Sequence, residues 1–554
     1  MLQHAHAGAG GYIRILGRKG QYNSSNSNNK LEELEEKEIM ELVFKIFFSL
    51  FLVGLCSLPA YLYCILWMFP GKNREILRKQ GIKGPPPSLL NGNISEMKCM
   101  GSMEKKPGED SRDVSHNYAL TLFPYFERWR KDYGPIFMYS LRNVLILHVT
   151  DPDLINEIGR STSLDLGKPS YLQKDQKPLF GQGILRSNGP SWAHQRKIIA
   201  PEFFMDKVKV MVGLMVESAI PLLRSWEHKI ETNGGIGEIR VDEDLRNFSA
   251  DVISRACFGS SYSKGKEIFL RLRVLQHAMD KPGLFTGIPC LRYLPTKNNR
   301  HIWRLDKEIQ SLILDLVKEH KEEYTTTSDK DLLHAILEAS TVDHGGPDAA
   351  TRFVVDNCKN IYVAGHETTA VTATWCLMLL ALNPDWQARA RVEVMDICGA
   401  HTPDADMTRR MKTLTMVIQE TLRLYPPSTF VAREALQDMK FGDIHIPKGI
   451  NLWICIPKLH QDIDIWGPDA SVFNPNRFAS GIFGACKLPN VYIPFGLGPR
   501  TCLGQNFAMM ELKVLLSLIL SKFSFSLSPK YCHSPTYRMV VEPEHGLYLT
   551  IKRV

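Results

Sequence analysis

The densest group of chemically useful residues lies in a short stretch near the carboxyl terminus, PFGLGPRTCLGQN. It follows the pattern F-x-x-G-x-R-x-C-x-G and leads directly into an apolar helical pattern. A cysteine just ahead of a helix receives unpaired backbone amides and the positive end of the helix dipole, so we expect the pKa of the Cys502 thiol to be lowered. Cys502 is therefore a candidate metal-ligating thiolate. A buried apolar side chain and a structural thiol are the alternatives.

The residues around Cys502 favour an iron ligand held against a flat ring. Glycines at 496, 498 and 504 would let the backbone approach a planar macrocycle. Phe495 could cover the sulfur, and Arg500 could bind an acidic substituent of the ring. Five matched positions within ten residues make this loop the most specific signal in the chain.

A second candidate site lies in the middle of a long predicted helix, from about Arg352 to Leu382, which Asn383-Pro384 would end. Its central sequence is AGHETT. Small and hydroxyl-bearing residues share one face of this helix, at i, i+3, i+4 and i+7: Gly365, Thr368, Thr369 and Thr372. This pattern indicates room for something flat or polar, or alternatively close packing of two helices.

A third group combines Glu420 and Arg423, three residues apart on another predicted helix, with Arg477 in the irregular stretch from His460 to Phe478. A pair at this spacing is usually a weak surface contact. A long irregular segment must nevertheless satisfy its backbone polar groups. A buried cluster of one glutamate and two arginines would do so.

The elements that must position these residues are mainly helical. The segment YFERWRKDYGPIFMYSLRNVLILHVTDPDLINEI predicts a helix, a turn at Tyr133-Gly134, a pair of strands, a turn at Asp151-Pro152 and a second helix. Long amphipathic helices dominate from about Ser191 onward, without an internal repeat or a linker rich in Gly or Ser. We therefore predict a mainly α fold with a minor β-sheet region, forming one large domain over residues 91–554.

The amino-terminal part predicts a membrane anchor. Ile46 to Phe69 is a run of 24 residues without a charge, which as a helix exceeds the roughly 30 Å of a bilayer core. We predict a retained transmembrane helix over residues 40–70 and a basic, proline-rich hinge over 71–90. Acidic residues precede the span and basic residues follow it, so the main domain should be cytosolic. Residues 1–39 are predicted to be a disordered extension or a start-site artefact.

Composition excludes several classes of protein. The net charge of +8 over 554 residues is not concentrated in basic blocks, so we predict no nucleic-acid partner. The twelve cysteines are scattered without a C-x-x-C pair, which favours a reducing compartment over a disulfide scaffold. No G-x-G-x-x-G sequence follows a predicted strand, so electrons for a redox reaction would come from another protein.

In this order the motifs resemble those of the cytochrome P-450 haem-thiolate monooxygenases, and the resemblance extends from about Gly81 to the carboxyl terminus. It implies haem b, iron protoporphyrin IX, as the cofactor and Cys502 as the ligand of its iron. It also implies further haem-binding residues in WAHQR, in PPSTFVAR and in the cysteine loop: Trp192, Arg196, Arg433, Phe495 and Arg500.

The same resemblance implies roles for the other motifs. Glu367 and Thr368 match an acid–alcohol pair that delivers protons to bound oxygen. Glu420, Arg423 and Arg477 match a structural lock beneath the haem. The family usually has P-E-R-F where this chain has PNRF, a departure that leaves the arginine in place.

More narrowly, segments such as FVVDNCKNIYVAGHETTAV resemble the plant microsomal group that includes gibberellin-oxidising and related terpenoid-oxidising enzymes. This implies a hydrophobic small-molecule substrate, namely a gibberellin or related diterpenoid acid, with triterpenoid acids or cytokinins as alternatives. By family position the pocket is lined by three mainly apolar segments, residues 179–185, 361–369 and 429–431. A substrate carboxylate would need a Lys or Arg in the first of these loops or near Lys281.

The implied partners are a membrane-bound NADPH-cytochrome reductase and membrane lipid, at the endoplasmic reticulum. A basic face near the cysteine loop, with Arg196, Lys197 and Lys487, is the predicted docking surface for the reductase. Two other function classes are a haem-thiolate isomerase or dehydratase, which typically lacks the acid–threonine pair, and a non-catalytic haem-binding protein. NADPH-dependent turnover would exclude the latter.

Overall fold

The computed structural model describes residues 24–64, 68–88, 90–103, 114–259, 262–280, 294–324, 331–341 and 346–554. The chain divides into two units, Met1–Phe69 and Pro70–Val554. Its helices up to residue 280 are α1 (Ser24–Tyr63), α2 (Phe69–Lys79), α3 (Ile94–Met103), α4 (Tyr118–Leu122), α5 (Pro124–Tyr133), α6 (Pro152–Arg160), α7 (Ser170–Asp175), α8 (Lys177–Phe180), α9 (Gly189–Ile199), α10 (Met205–Val210), α11 (Val212–Thr232), α12 (Asp242–Phe258) and α13 (Tyr262–Asp280). The later helices are α14 (Lys297–Tyr324), α15 (Leu332–Ser340), α16 (Pro347–Leu382), α17 (Pro384–Cys398), α18 (Ala405–Arg410), α19 (Lys412–Leu424), α20 (Ile456–His460), α21 (Ile463–Trp466) and α22 (Gln505–Lys522).

The first unit contains α1, which differs from the prediction at its start. Residues 1–23 lie outside the described part of the chain, and α1 begins at Ser24, inside the stretch predicted to be disordered. The sequence KLEELEEKE consists of strong helix formers, which favours this extension. Within the described residues, Ile39–Ser57 is long and apolar enough to cross a membrane by length and composition. Its large side chains, such as Phe44 and Phe47, are exposed. A helix that is apolar on all sides and not covered by protein is typical of a membrane span.

The described residues of the predicted basic, proline-rich hinge, 71–90, pack within the second unit. α2 buries Leu77 completely, and the carbonyl of Lys83 accepts a hydrogen bond from the amide of Met138 at 2.9 Å. A Cβ atom at Gly84 would lie 1.8 Å from the carbonyl oxygen of Met138. The proline-rich stretch therefore covers an edge strand, whose backbone groups would otherwise be unpaired.

Within the described residues the strands form one main sheet and three small ones. They are β1 (Ile136–Leu141), β2 (Val144–Val149), β3 (Leu166–Gly167), β4 (Ile236–Arg240), β5 (Phe430–Ala435), β6 (Met439–Phe441), β7 (Ile444–Ile446), β8 (Asn451–Cys455), β9 (Phe523–Leu527), β10 (Pro535–Arg538), β11 (Val540–Pro543) and β12 (Tyr548–Arg553). The main sheet has the order β1-β2-β8-β5-β3, with β2 and β8 parallel and the other pairs antiparallel. The smaller sheets are β4-β12-β9, β6-β7 and β10-β11.

Local sequence signals place several of these elements correctly. The predicted helix, strand pair and helix are α5, β1, β2 and α6, and the Asp151 side chain caps α6 by accepting a hydrogen bond from the amide of Leu154 at 2.8 Å. The mainly α fold with minor sheets is confirmed.

The long helix α16 runs through the interior of the second unit. It starts at Pro347, earlier than the predicted Arg352, because Gly346-Pro347 supplies a helix start with proline in the first position. Most of its side chains from Val354 to Leu380 are buried, and it packs against α12, α19 and α22. α16 therefore brings the AGHETT motif into the same core as the helix that follows the cysteine loop.

Candidate active site

Cys502 lies between a single 3-10 turn, Gly498–Arg500, and the start of α22. Its amide donates a hydrogen bond to the carbonyl of Phe495 at 2.9 Å, which closes the loop. Gly498 has a φ of +69°, and a Cβ atom there would lie 2.8 Å from the carbonyl oxygen of Gly159 at the end of α6. The contact with α6 and the left-handed backbone therefore require this glycine, which is a different reason from the predicted approach of a planar ring.

Cys502 is an exposed residue, although protein atoms surround its thiol closely enough to affect its ionisation. Burial raises the pKa of this thiol, and the Gly504 amide and the charge of Arg196 oppose that shift without outweighing it. The helix start does oppose the rise through the Gly504 amide, as predicted, but the predicted net lowering of the thiol pKa is wrong, because the cost of burying the thiolate is larger. A bound metal cation would favour the thiolate. A cation beside the exposed Cys502 would therefore stabilise its ionised form.

Three arginines predicted at the site converge on the backbone around this loop. Arg196 comes from α9, Arg433 from β5 and Arg500 from the loop itself. Each donates to a backbone carbonyl: Arg196 to Thr501 at 3.0 Å, Arg433 to Leu497 at 3.2 Å and Arg500 to Ser187 at 3.1 Å. The predicted site residues from three separate parts of the sequence are therefore neighbours in space.

Trp192 is buried beside two of these arginines. Its ring centroid lies 4.2 Å from the guanidinium carbon of Arg500 and 5.7 Å from that of Arg196. In the described part of the chain, none of the three arginines forms an ion pair with a carboxylate. Burial and the neighbouring arginines lower the pKa of Arg500 to about 9, and burial lowers the pKa of Arg433 to about 10. One buried and two half-buried cations without acidic partners favour the binding of an anion.

The AGHETT motif presents a narrow accessible strip within the otherwise buried centre of α16. Ala364, Gly365 and Thr368 are partly accessible, while Thr369 and Thr372 are buried. The hydroxyl of Thr368 donates to the carbonyl of Ala364 at 2.7 Å. The strip is therefore narrower than the four-residue face we predicted.

Gly365 allows close packing of two helices. A Cβ atom at this position would lie 2.5 Å from Cδ1 of Ile253 on α12, and its carbonyl accepts a hydrogen bond from the Ser249 hydroxyl at 3.3 Å. The small residues of this motif had two interpretations, close packing of two helices and room for a ligand. Close packing explains Gly365, whereas Thr368 remains partly accessible and fits the second interpretation.

Glu367 belongs to a buried ion-pair network that the sequence analysis missed. Its carboxylate lies 3.4 Å from the Arg246 guanidinium, which also contacts Asp242 at 3.1 Å and Glu542 at 2.6 Å. Burial opposes ionisation of Glu367, but His366 and Arg246 hold its pKa below the ordinary value. An arginine in the apolar stretch of α12 is the sequence signal that could have revealed this partner. Glu367 is therefore ionised at neutral pH and can take up a proton before it gives one.

Comparison with known proteins decides the family. The family model for cytochrome P450 matches residues 116–551. The chain belongs to the cytochrome P450 family. It is 55% identical to cytochrome P450 714C2 of Oryza sativa subsp. japonica over 502 residues, 89% of this chain and 96% of that protein. It is 51% identical to cytochrome P450 714B3 of Zea mays over 513 residues (91% and 95%) and 49% identical to cytochrome P450 714A2 of Arabidopsis thaliana over 509 residues (90% and 97%). The protein is therefore a cytochrome P450 monooxygenase of plant type.

The residues of this cytochrome P450 fit the haem that its family implies. The exposed Cys502 suits an iron ligand, and the buried Arg433 with the half-buried Arg196 and Arg500, none paired with a carboxylate among the described residues, suits the acidic substituents of the ring. The accessible strip at Ala364 and Thr368 lies on α16, which packs against α22. The donor set thus has the charge and chemistry that such a cofactor needs.

The predicted lock of the P450 is confirmed by its contacts. Arg423 binds Glu420 in a bidentate pair with both distances 2.7 Å, and Arg477 lies 3.4 Å from the same carboxylate. Arg423 also donates to the carbonyls of His460 and Val472, at 2.9 and 3.1 Å. The cluster therefore ties α19 to the irregular segment that precedes the cysteine loop. Asn476, where the sequence departs from the family pattern, is exposed and takes no part in it.

A second lock, which the sequence analysis missed, holds the loop before α9 to α16. Asn360 accepts a hydrogen bond from the amide of Leu185 at 2.8 Å and donates to the carbonyl of Phe180 at 2.8 Å. Asn357 accepts from the amide of Ile184 at 3.1 Å, and Asp356 accepts from that of Gln182 at 2.8 Å. Asp and Asn at i, i+1 and i+4 on an apolar helix are the signal that could have revealed it. Four hydrogen bonds thus tie the predicted pocket loop to α16, while Lys281 lies outside the described residues.

Proposed function

We propose that this cytochrome P450 binds haem b through Cys502 and oxidises a hydrophobic terpenoid, a gibberellin or a related diterpenoid acid. The observation that carries the cofactor assignment is a set of three arginines, one buried and two half-buried, around the exposed Cys502, with no carboxylate paired to them in the described part of the chain. Trp192 holds two of these arginines in place. Phe495 closes the loop through its carbonyl, and its half-buried side chain packs against the main core.

When bound, the haem supplies oxygen activation with electrons delivered by a partner protein. The protein's own residues supply position and protons. The Thr368 hydroxyl, whose proton is directed at Ala364, keeps its lone pairs free to accept a hydrogen bond from water or substrate. Glu367 exchanges protons only when its contact with Arg246 loosens, since that contact stabilises the carboxylate.

The substrate class rests on apolar lining and on the resemblance to gibberellin-oxidising enzymes. Leu179, Phe180, Ile184 and Ile361 give the predicted pocket segments an apolar character that suits a multi-ring hydrocarbon skeleton. A triterpenoid acid or a cytokinin is the second candidate. The accessible Thr368 beside Glu367 favours a monooxygenase over an isomerase or dehydratase.

The proposed setting is the endoplasmic reticulum membrane, with α1 as a single anchor, lipid around it and the P450 domain in the cytosol. The proposed electron donor is the NADPH-cytochrome reductase. Lys197 and Lys487 are exposed and available to an acidic partner, whereas Arg196 is engaged with the carbonyl of Thr501. Reversing the charges of Lys197 and Lys487 should slow electron transfer at low salt.

The cofactor assignment is tested by replacing Cys502. We expect Cys502→Ala to abolish the carbon monoxide spectrum of thiolate-ligated haem, because no sulfur ligand would remain at that position. Cys486→Ala is the control, since Cys486 is only partly buried and lies outside the cysteine loop. If Cys502→Ala retained the spectrum, or Cys486→Ala lost it, the assignment would be wrong.

The substrate class is tested by spectral titration of the purified protein with gibberellins, kaurenoic acid-like diterpenoids, triterpenoid acids and cytokinins. We expect the haem spectrum to shift with the diterpenoid acids only. Microsomes supplemented with reductase should then convert the responding compound to a product carrying one added oxygen atom, measured by mass spectrometry. A response confined to triterpenoid acids or cytokinins would replace the proposed substrate class, and turnover without NADPH would contradict a monooxygenase.

A further inference from the structure

We infer that Arg186 binds a carboxylate of the substrate and orients it in the pocket. This inference rests on the proposed function and names a substrate-binding residue for it. The sequence alone offered any Lys or Arg of the first pocket loop as a donor. The structure distinguishes Arg186 by its burial, its neighbours and its unused hydrogen-bond donors.

Arg186 is a half-buried cation with a spare donor. Its Nη2 donates to the side-chain oxygen of Gln176, but its buried Nε has no hydrogen-bond partner. In the described part of the chain it forms no ion pair with a carboxylate, and its guanidinium carbon lies 4.8 Å from the ring centroid of Phe180. A guanidinium with an unused donor beside an aromatic ring matches a carboxylate ligand that carries an apolar skeleton.

The surroundings of Arg186 are largely aromatic and connect to one of the predicted pocket segments, residues 429–431. Tyr171 on α7 and Tyr537 on β10 lie close enough to influence its charge. Tyr537 in turn contacts Phe430 on β5, with ring centroids 6.1 Å apart. Burial lowers the pKa of Arg186 to about 10, so the side chain keeps its charge at neutral pH. An aromatic, mostly apolar surrounding strengthens a single charged contact.

Arg186 is separate from the three arginines assigned to the haem. Those three donate to backbone carbonyls of the cysteine loop and of Ser187. Arg186 donates to Gln176, which lies between α7 and α8. Lys168 lies within electrostatic reach of both groups, so it is not assigned to either. Three arginines already exceed the two propionates of haem b in charge, which leaves Arg186 for a different anion.

The position of Arg186 is held by the lock between its loop and α16. The residue directly before it, Leu185, donates its amide to Asn360, and the Arg186 amide donates to the carbonyl of Gly183 at 2.9 Å. A Cβ atom at Gly183 would lie 2.4 Å from the Asn360 side chain, so the loop and helix are in direct contact. A charged group fixed in this way loses little entropy when it binds a ligand.

The test compares acids with their methyl esters by spectral titration of the purified full-length protein loaded with haem. The probes are a gibberellin, a kaurenoic acid-like diterpenoid and a triterpenoid acid, each with its methyl ester. We expect the wild type to prefer each responding acid over its ester. Arg186→Gln should weaken acid binding by about 10- to 100-fold, the range for a lost hydrogen bond to a charged group. Ester binding should change less than about threefold.

Two further variants separate charge from structure. Arg186→Lys keeps the charge without the planar fork and should retain part of the preference for acids. Arg128→Gln removes an arginine from an exposed position of α5 and should bind like the wild type. Equal losses for acid and ester in Arg186→Gln, or a wild type without preference for acids, would overturn the inference. If only triterpenoid acids bind, and Arg186→Gln removes their preference over esters, the inference stands and the proposed gibberellin substrate falls.

Discussion

Thr368 and Glu367 are adjacent in sequence but meet different surroundings. Thr368 is partly accessible on the central strip of α16, and Glu367 is buried against Arg246. The hydroxyl can therefore meet water or substrate directly. The carboxylate must first leave an ion pair in which Arg246 is shared with Asp242 and Glu542. Proton delivery by this pair would be controlled by the strength of that network.

A test at Thr368 distinguishes its hydroxyl from its shape. Thr368→Val keeps the branched side chain and removes the hydroxyl, so we expect a normal carbon monoxide spectrum. Product formation should fall by roughly 10²-fold, the lower end of the contribution of a positioned proton donor. Hydrogen peroxide released per NADPH consumed should rise. Thr368→Ser restores a hydroxyl and should recover most of the product; unchanged peroxide and product in Thr368→Val would contradict the role.

At the residue scale, sequence reasoning selected candidate residues that the structure brings together, but it did not reveal all of their environments. The spacing around Cys502 carried enough information to select it among twelve cysteines. The predicted net direction of its thiol pKa shift was wrong, because the burial that raises this pKa depends on residues far away in sequence. The partner of Glu367 was missed for the same reason, since Arg246 lies on a different helix.

At the scale of elements, the contact between α12 and α16 depends on the missing side chain of Gly365. Its backbone lies so close to Ile253 that a methyl group would overlap Cδ1 and Cγ1 of that side chain. The Ser249 hydroxyl bridges the same two helices by a hydrogen bond. A small residue at the centre of a buried helix therefore sets the distance between two helices, which in turn holds Glu367 near Arg246.

Gly365→Ala should destabilise the protein by about 1–3 kcal/mol, the usual cost of overpacking a buried contact. The measurement is the free energy of urea-induced unfolding. Ile253→Val removes the nearest clashing atom, so the double variant should lose less stability than the sum of the single variants. Gly213→Ala is the matched control on α11, where nothing lies within 4 Å of the added atom. It should stabilise by roughly 0.5–1 kcal/mol, and strict additivity at Gly365 and Ile253 would rule out the contact.

Elements with local signals were predicted well, and elements held by distant contacts were not. α5, β1, β2 and α6 follow from turn and capping residues within one stretch of sequence. The packing of residues 71–90 depends on a hydrogen bond between Lys83 and Met138, which no local pattern reveals. The same holds for the bonds from Asn360 to the loop at Phe180 and Leu185.

At the scale of the whole molecule, two fully buried histidines link stability to pH. His148 is stacked between Phe126 and Phe137, with centroid distances of 4.4 and 4.7 Å. Burial, with Arg130 and Lys458 as the nearby charges, lowers its pKa to about 3. Each buried neutral histidine favours the unfolded state wherever the unfolded chain binds a proton that the folded protein does not.

His460 is held neutral by direct hydrogen bonds. Its Nδ1 lies 3.2 Å from the carbonyl of Arg423, and its Nε2 accepts from the amide of Ile493 at 3.0 Å. A proton on Nε2 would face that amide, and burial together with the charge of Arg423 lowers the pKa of His460 to about 3. Because this histidine contacts the lock of α19, its protonation would also disturb the segment leading to the cysteine loop.

The resulting prediction is loss of stability in mild acid. Both folded histidines have a pKa of about 3, and an unfolded histidine has a pKa of about 6.5. The free energy of unfolding should therefore decrease as the pH falls below about 6.5, because the unfolded chain then binds protons that the folded protein does not. At pH 5 each histidine should cost about 2 kcal/mol relative to pH 8. Urea unfolding at both pH values measures this difference. His148→Phe suits the stacked site and should remove about half of the loss due to the pair, whereas His301→Gln, at an exposed position, should leave it unchanged. If the free energy of unfolding of His148→Phe and of the wild type changed equally between pH 8 and pH 5, His148 would bind a proton in the folded protein as it does in the unfolded chain. That result would contradict the prediction.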